Sequence, residues 1–200
     1  CSSLLSVMIP DRVFSIGDYA FRGCSSLTSV TIPDSVKRIG NSAFAYCTNL
    51  TSVMIPDSVT SIEKMTFKNC SNLRIVLIGN KITSIGRSAF IGCTSLTSVT
   101  IPGSVTSIGS MAFSGCISLK SINFEGNAPS SFGSNVFKNL PIGAKITVTA
   151  GATGFGETFE GLPVIIQKKL EIKSFNNHAA PFSFTFETQS DSTYKIEASH

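Results

Sequence analysis

Residues 24–46 read CSSLTSVTIPDSVKRIGNSAFAY, residues 47–69 read CTNLTSVMIPDSVTSIEKMTFKN, and residues 93–115 read CTSLTSVTIPGSVTSIGSMAFSG. Laid over one another, the three stretches agree in nearly every column. Cysteine sets the register: Cys1, Cys24, Cys47, Cys70, Cys93 and Cys116 follow one another at intervals of 23 residues. Self-similarity at a fixed period of this size marks an array of units, each too small to bury its own apolar face and each packed on its neighbours.

The columns divide each unit into legs. Leucine stands three residues after every cysteine, at Leu4, Leu27, Leu50, Leu73, Leu96 and Leu119. A β-branched pair follows, as in Val30/Ile32 and Val99/Ile101, with Ser or Thr between, which is the alternation of a half-buried strand. Proline ends that strand at Pro10, Pro33, Pro56 and Pro102, where a missing N–H is tolerated. Asp11, Asp34 and Asp57 come next, suited to accept local backbone N–H groups at a corner. A second apolar pair, such as Val36/Ile39 or Val105/Ile108, predicts a second short extended leg. Gly17, Gly40, Gly86 and Gly109 close it, and the reading is that the turn there needs a positive φ.

The last leg carries Ala20-Phe21, Ala43-Phe44, Ala89-Phe90 and Ala112-Phe113, with Thr66-Phe67 as the variant. Gly23, Asn69, Gly92 and Gly115 then precede the next cysteine, the chemistry that ends a short helical turn. Tyr46 breaks this column and predicts a locally different turn. The expected fold class is a repeat solenoid, mostly β with short helical turns, on a 23-residue period. Coils joined by a parallel ladder lie about 4.8 Å apart, so equivalent side chains should stand in single files of Leu, Cys and Phe.

The unit C-x-x-L-x-x-V-x-I-P-x-x-V-x-x-I-G-x-x-A-F-x-G resembles the BspA-type (treponemal-type) leucine-rich repeat, from residue 1 to about residue 124. The resemblance implies a right-handed superhelix with a parallel β-sheet on its concave face. It also implies an extracellular or cell-surface location and a part in adhesion or host-protein binding. Glu63, where glycine is expected, and Gly79-Asn80, in place of Pro-Asp, depart from the pattern. The unit CISLKSINFEGNAPSSFGSNVFKN is one residue longer, and Leu140 stands where the next cysteine would. The following KITVTAGATGFGETFEGLPVIIQ resembles the terminal coil that closes such solenoids. The expected organisation is therefore five repeats over 1–115, an atypical sixth repeat and C-terminal cap over 116–167, and the start of a truncated β-sandwich-like module over 168–200. In that last stretch Phe182, Phe184 and Phe186 alternate with Ser and Thr, and a turn at Gln189–Ser192 leads to Tyr194 and Ile196. A chain that opens on Cys1 reads as a fragment.

Composition narrows the function. Only 14% of the 200 residues are charged, against about 25% in a typical soluble domain. The net charge of +4 is scattered, without the basic stripe that marks a nucleic-acid surface. No stretch approaches the roughly 18 apolar residues of a membrane span. The two histidines, His178 and His200, lie outside the repeats, so no Ser–His pair can be assembled there and no catalytic residue is assigned. The cysteines lack C-x₂₋₄-C spacing and, stacked in parallel, lie too far apart for disulfides; they read as buried free thiols. The Gly151–Gly161 stretch lacks a phosphate-loop pattern. No cofactor or metal is expected, and the aspartate column reads as corner hydrogen bonding before it reads as a cation row. Asn49-Leu-Thr51 and Asn69-Cys-Ser71 match the glycosylation sequon within the repeat pattern.

Candidate binding residues lie on the outward strand positions. Most are small hydroxyls, from Ser29/Thr31 to Ser98/Thr100, a regularity also seen in ice-binding surfaces; Met8, Met54, Ile75 and Leu77 interrupt it. Ile75 and Leu77 beside Met54 form an apolar island that no core requirement explains. Thr31, Met54, Arg74, Ile75, Leu77 and Thr100 are therefore the expected contacts for a protein or glycan partner lying across the concave face. The competing reading is a rigid, ligand-free spacer that holds a C-terminal module away from the cell.

Overall fold

The computed structural model describes residues 1–167, 183–187 and 193–197. Each repeat contributes a longer and a shorter strand. The first four supply β1 (Ser6–Met8) and β2 (Ser15–Ile16), β3 (Ser29–Thr31) and β4 (Arg38–Ile39), β5 (Ser52–Ile55) and β6 (Ser61–Ile62), and β7 (Ile75–Ile78) and β8 (Ser84–Ile85). The next two supply β9 (Ser98–Ile101) and β10 (Ser107–Ile108), and β11 (Ser121–Phe124) and β12 (Ser131–Phe132). After them come β13 (Lys145–Thr149), β14 (Thr158–Phe159) and β15 (Leu162–Gln167), then β16 (Ser183–Glu187) and β17 (Thr193–Glu197), which pair antiparallel. The turn read at Gln189–Ser192, the two histidines and the remainder of 168–200 lie outside the described residues.

Every rung between repeats is parallel and joins equivalent residues: Val7 faces Val30, Val53 faces Val76, and Val99 faces Ile122. From within the sixth repeat the offset grows by the one extra residue, with Ser107 facing Ser131 and then Ile122 facing Ile146. A final, shorter coil brings Val164 onto Ile146, and Phe155 and Phe159 pack edge-on and tilted against Phe124 and Phe132. The fold is a β-solenoid.

The files of side chains are present. Phe21, Phe44, Phe67, Phe90 and Phe113 stack with centroids 5.2, 5.6, 5.3 and 5.2 Å apart and ring planes within 9° of parallel. Phe137 extends the file at 6.0 Å. Leu27, Leu50, Leu73, Leu96 and Leu119 are fully buried beside them. Cys24 through Cys116 are buried free thiols, whereas Cys1 is exposed. The thiols of Cys47, Cys70, Cys93 and Cys116 also donate to the carbonyls of Phe21, Phe44, Phe67 and Phe90, at 3.1–3.2 Å. Burial, and next the neighbouring cysteine, push the Cys47 thiol up to about 12. These four thiols, each pushed up chiefly by burial, are therefore inert toward nucleophilic chemistry at neutral pH.

Four expectations need correction. The third leg forms no helix; none occurs among the described residues. The amides of Ala20, Arg22 and Cys24 reach back three residues, to Gly17, Tyr19 and Phe21. Those of Tyr19, Phe21 and Gly23 instead donate across to Asn41, Ala43 and Ala45 of the next coil. With every second amide turned sideways, an i→i−4 ladder cannot form. Second, Tyr46 makes the same turn as its column: its φ is 63°, beside 72° at Gly23 and 56° at Asn69, and its amide donates to Lys68 just as Gly23 donates to Ala45.

Third, Gly40, Gly86 and Gly109 are not in the left-handed region; positive φ falls two residues later, at Ser42 (53°), Ser88 (57°) and Met111 (60°). These glycines are needed because the preceding coil presses on them. A Cβ on Gly109 would lie 2.5 Å from the Arg87 amide nitrogen, and one on Gly86 would lie 2.7 Å from the Glu63 carbonyl carbon. Gly17, on the first coil, has nothing within 4 Å. Glu63 supplies the internal control. The amides of Gly40, Gly86 and Gly109 donate to Ile16, Ile62 and Ile85, but the series skips Glu63. At that coil boundary both ladders are interrupted, between β4 and β6 and between β3 and β5, and the Phe44–Phe67 step is the widest of the four.

Fourth, the corner aspartate does not serve its own corner: Asp57 Oδ1 accepts from the Asn80 amide of the next coil at 2.6 Å.

Candidate functional site

Alternation along each longer strand turns one set of residues outward. Val53, Ile55 and Val76 are buried, whereas Met54, Ile75 and Leu77 are 56%, 56% and 57% exposed. The β5–β7 register sets Leu77 opposite Met54 and Ile75 opposite Ser52, so the three apolar side chains form one ridge. Thr31, Arg74 and Thr100 are exposed on the same face.

Two hollows flank the ridge, and Leu77 lines both. One, of about 580 Å³, is bordered by Met54 and Leu77 with Asp34, Asp57, Lys37 and Lys81 at its margin. The other, of about 400 Å³, lies where the ladder is interrupted between β7 and β9, and is bordered by Arg74, Ile75, Leu77, Thr100 and Glu125. Thr31 borders neither. Five of the six expected contacts are thus brought together around Leu77.

The charged rim was not legible in the sequence. Asp34, Lys37, Lys81 and Glu125 come from corner columns whose outward residues look like ordinary solvated charges, and only the hollows join them to the ridge. Among the described residues the single ion pair is Arg38–Asp18, at 2.9 Å, so no two of the rim charges are in direct contact. At β11 the face is less exposed: Ser121 and Asn123 are half-buried, and the Asn123 side-chain oxygen is buried without a hydrogen-bond donor. No group of three or more His, Cys, Asp or Glu side chains gathers into a metal-binding set among the described residues.

Stacked parallel coils with an exposed strand face and flanking hollows define a leucine-rich-repeat solenoid. The BspA type leucine rich repeat region matches residues 1–110 and 84–179 in six copies, and the chain belongs to that family. It is similar in structure to a leucine-rich repeat protein from Bacteroides ovatus, with 30% identity and a TM-score of 0.66 over 83% of this chain. A leucine-rich repeat protein from T. pallidum is 29% identical over 80% of this chain and 78% of its own, with a TM-score of 0.59. The pneumococcal vaccine antigen PcpA shares the fold at 21% identity, with a TM-score of 0.67 over 82% of this chain and 42% of its own. The chain spans 43% of the length of the Bacteroides protein. No curated protein matches it. No helix among the described residues is long and apolar enough to cross a membrane.

Proposed function

We propose that this chain is a non-catalytic binding module of the cell exterior, and that its strand face engages a protein partner or a glycan in adhesion. The observation that carries this reading is the Met54–Ile75–Leu77 ridge. Three large apolar side chains, each more than half exposed, stand together on a face whose other outward strand residues are mostly Ser and Thr. The core does not require them, and an exposed apolar patch rimmed by charge is the usual form of a recognition surface. Membership in a leucine-rich repeat family supports a protein ligand, and the family resemblance supports the location. In this reading residues 116–167 close the solenoid and 168–200 begin a further module.

The test sets the 200-residue chain against panels of immobilised extracellular host proteins and neutral glycans, with Ile75→Lys and Leu77→Lys beside it. Binding to at least one panel member, weakened tenfold or more by either lysine, is the expected result. The melting temperature should barely move, because both side chains already face solvent. A ligand bound equally by wild type and both variants would move the site off this face. Absence of any ligand would favour the spacer.

A further inference from the structure

We infer that the turn leg of the first three coils carries a second binding site, for a linear polysaccharide bearing sulfate or carboxylate groups. The site is a ladder of alternating rings and cations. The Arg22 guanidinium lies 5.5 Å from the Tyr19 ring centroid and 5.6 Å from that of Tyr46, and the Lys68 ammonium lies 5.6 Å from the same Tyr46 ring. Arg22 and Lys68 occupy the same column two coils apart, roughly 10 Å by the ladder spacing. Tyr46, from the coil between them, is the shared platform.

Three observations give this cluster a ligand. Its cations are held by π faces, which position a charge without neutralising it. The acids of the same leg are engaged elsewhere: Asp18 with Arg38 and the amide and side chain of Asn41, and Glu63 with the Ser61 hydroxyl. Lys64 and Arg87 add exposed positive charge on the third and fourth coils, four positions before the Arg22/Lys68 column in the repeat. Tyr46 holds a positive φ of 63° in a column where every other coil uses Gly or Asn, whereas Tyr19, at 60°, stands in a column that elsewhere carries Ser, Met or Asn. A bulky residue is rare in that conformation, and the presence of Tyr46 there points to selection for its side chain.

A repeating polyanion matches this geometry: two fixed cations about 10 Å apart along the solenoid axis, with phenolic groups to hydrogen-bond sugar hydroxyls. The patch is only a few side chains wide, far smaller than the area a stable protein interface buries. The site lies on another leg from the strand face and does not depend on it.

The experiment measures binding of the 200-residue chain to dextran sulfate (sulfate only), hyaluronan (carboxylate only) and neutral dextran. The expected result is binding to one or both polyanions at least tenfold tighter than to dextran, weakening as salt rises. Whichever polyanion binds names the group recognised. The paired change Arg22→Gln with Lys68→Gln should lower the affinity tenfold or more. Tyr46→Asn, which installs the residue this column already uses at position 69, should lower it threefold or more without lowering the melting temperature. Ile75→Lys and Leu77→Lys should leave it unchanged. Affinity for both polyanions no better than for dextran would overturn the inference, as would wild-type affinity in the paired variant. Loss of binding in the Ile75 or Leu77 variants, or tighter binding of polyglutamate or single-stranded DNA than of either polysaccharide, would overturn it too.

Discussion

The strand leg and the turn leg of each coil are built on the same 23-residue register, yet they tolerate change differently. On the strand leg every second side chain leaves the core, so Ser52, Ile75 and Ser98 can differ without disturbing Val53, Val76 and Val99 behind them. Variation there is free of backbone cost. The turn leg has two left-handed positions per coil, amides that donate to the adjacent coil, and a glycine pressed against the backbone before it. A residue outside the pattern on that leg breaks the bonding between coils, as at Glu63, where the amide series from Gly40 to Gly109 skips one step, or carries about 1–2 kcal/mol of conformational strain, as Tyr46 does. The lesson is that an outward exception on the strand leg informs by its exposure and grouping, as the Met54–Ile75–Leu77 ridge does, whereas one on the turn leg informs also by the backbone cost it carries.

The comparison can be broken most forcefully at the aromatic file. Phe67 is fully buried between Phe44 and Phe90, and Phe67→Ala should cost about 3–5 kcal/mol in urea-induced unfolding. A loss below about 1 kcal/mol would mean that the turn legs are not held by the stack. Gly109→Ala comes next. Its Cβ would meet the backbone of the preceding coil, so it should cost about 1–3 kcal/mol, whereas Gly17→Ala, with nothing to strike, should stay within about 0.5 kcal/mol. Equal costs at the two positions would restore a conformational role for this glycine column.

The smallest effect is electrostatic. The side chain and amide of Asn41, and then Arg38, hold the Asp18 carboxyl below its ordinary value, tying the first coil to the second. A carboxylate whose pKa is depressed on folding stabilises the protein above the unfolded value, and that contribution is lost as pH falls through the folded one. The melting temperature of the wild type should therefore fall more than that of Asp18→Asn on acidification below about pH 4. Parallel curves would remove Asp18 from the contacts between coils.

Most of the architecture was legible because a repeat states each constraint several times over. The cysteine interval, the Leu and Phe columns and the Val/Ile alternation each appear in five or six copies, and one physical cause, equivalent residues stacked at the coil spacing, accounts for all of them. The apolar ridge was legible for the opposite reason, as a local exception to a column of hydroxyls. The glycine column misled, because sequence shows that a side chain is missing but not whether sterics or dihedral angle forbids it. Tyr46 misled likewise: its column of Gly and Asn suggested a turn closed to tyrosine, and the fold imposed that turn on it.

The sequence by itself determined the period, the files of side chains and which strand residues face out, since these follow from repetition and alternation along one chain. Only the tertiary structure decided that the third leg is a series of interlocked turns, that Asp57 serves the following coil, and that Arg22, Tyr46 and Lys68 meet. Those features depend on contacts between residues more than twenty positions apart, whose partners are chosen by the distance between coils and not by any local preference of the chain.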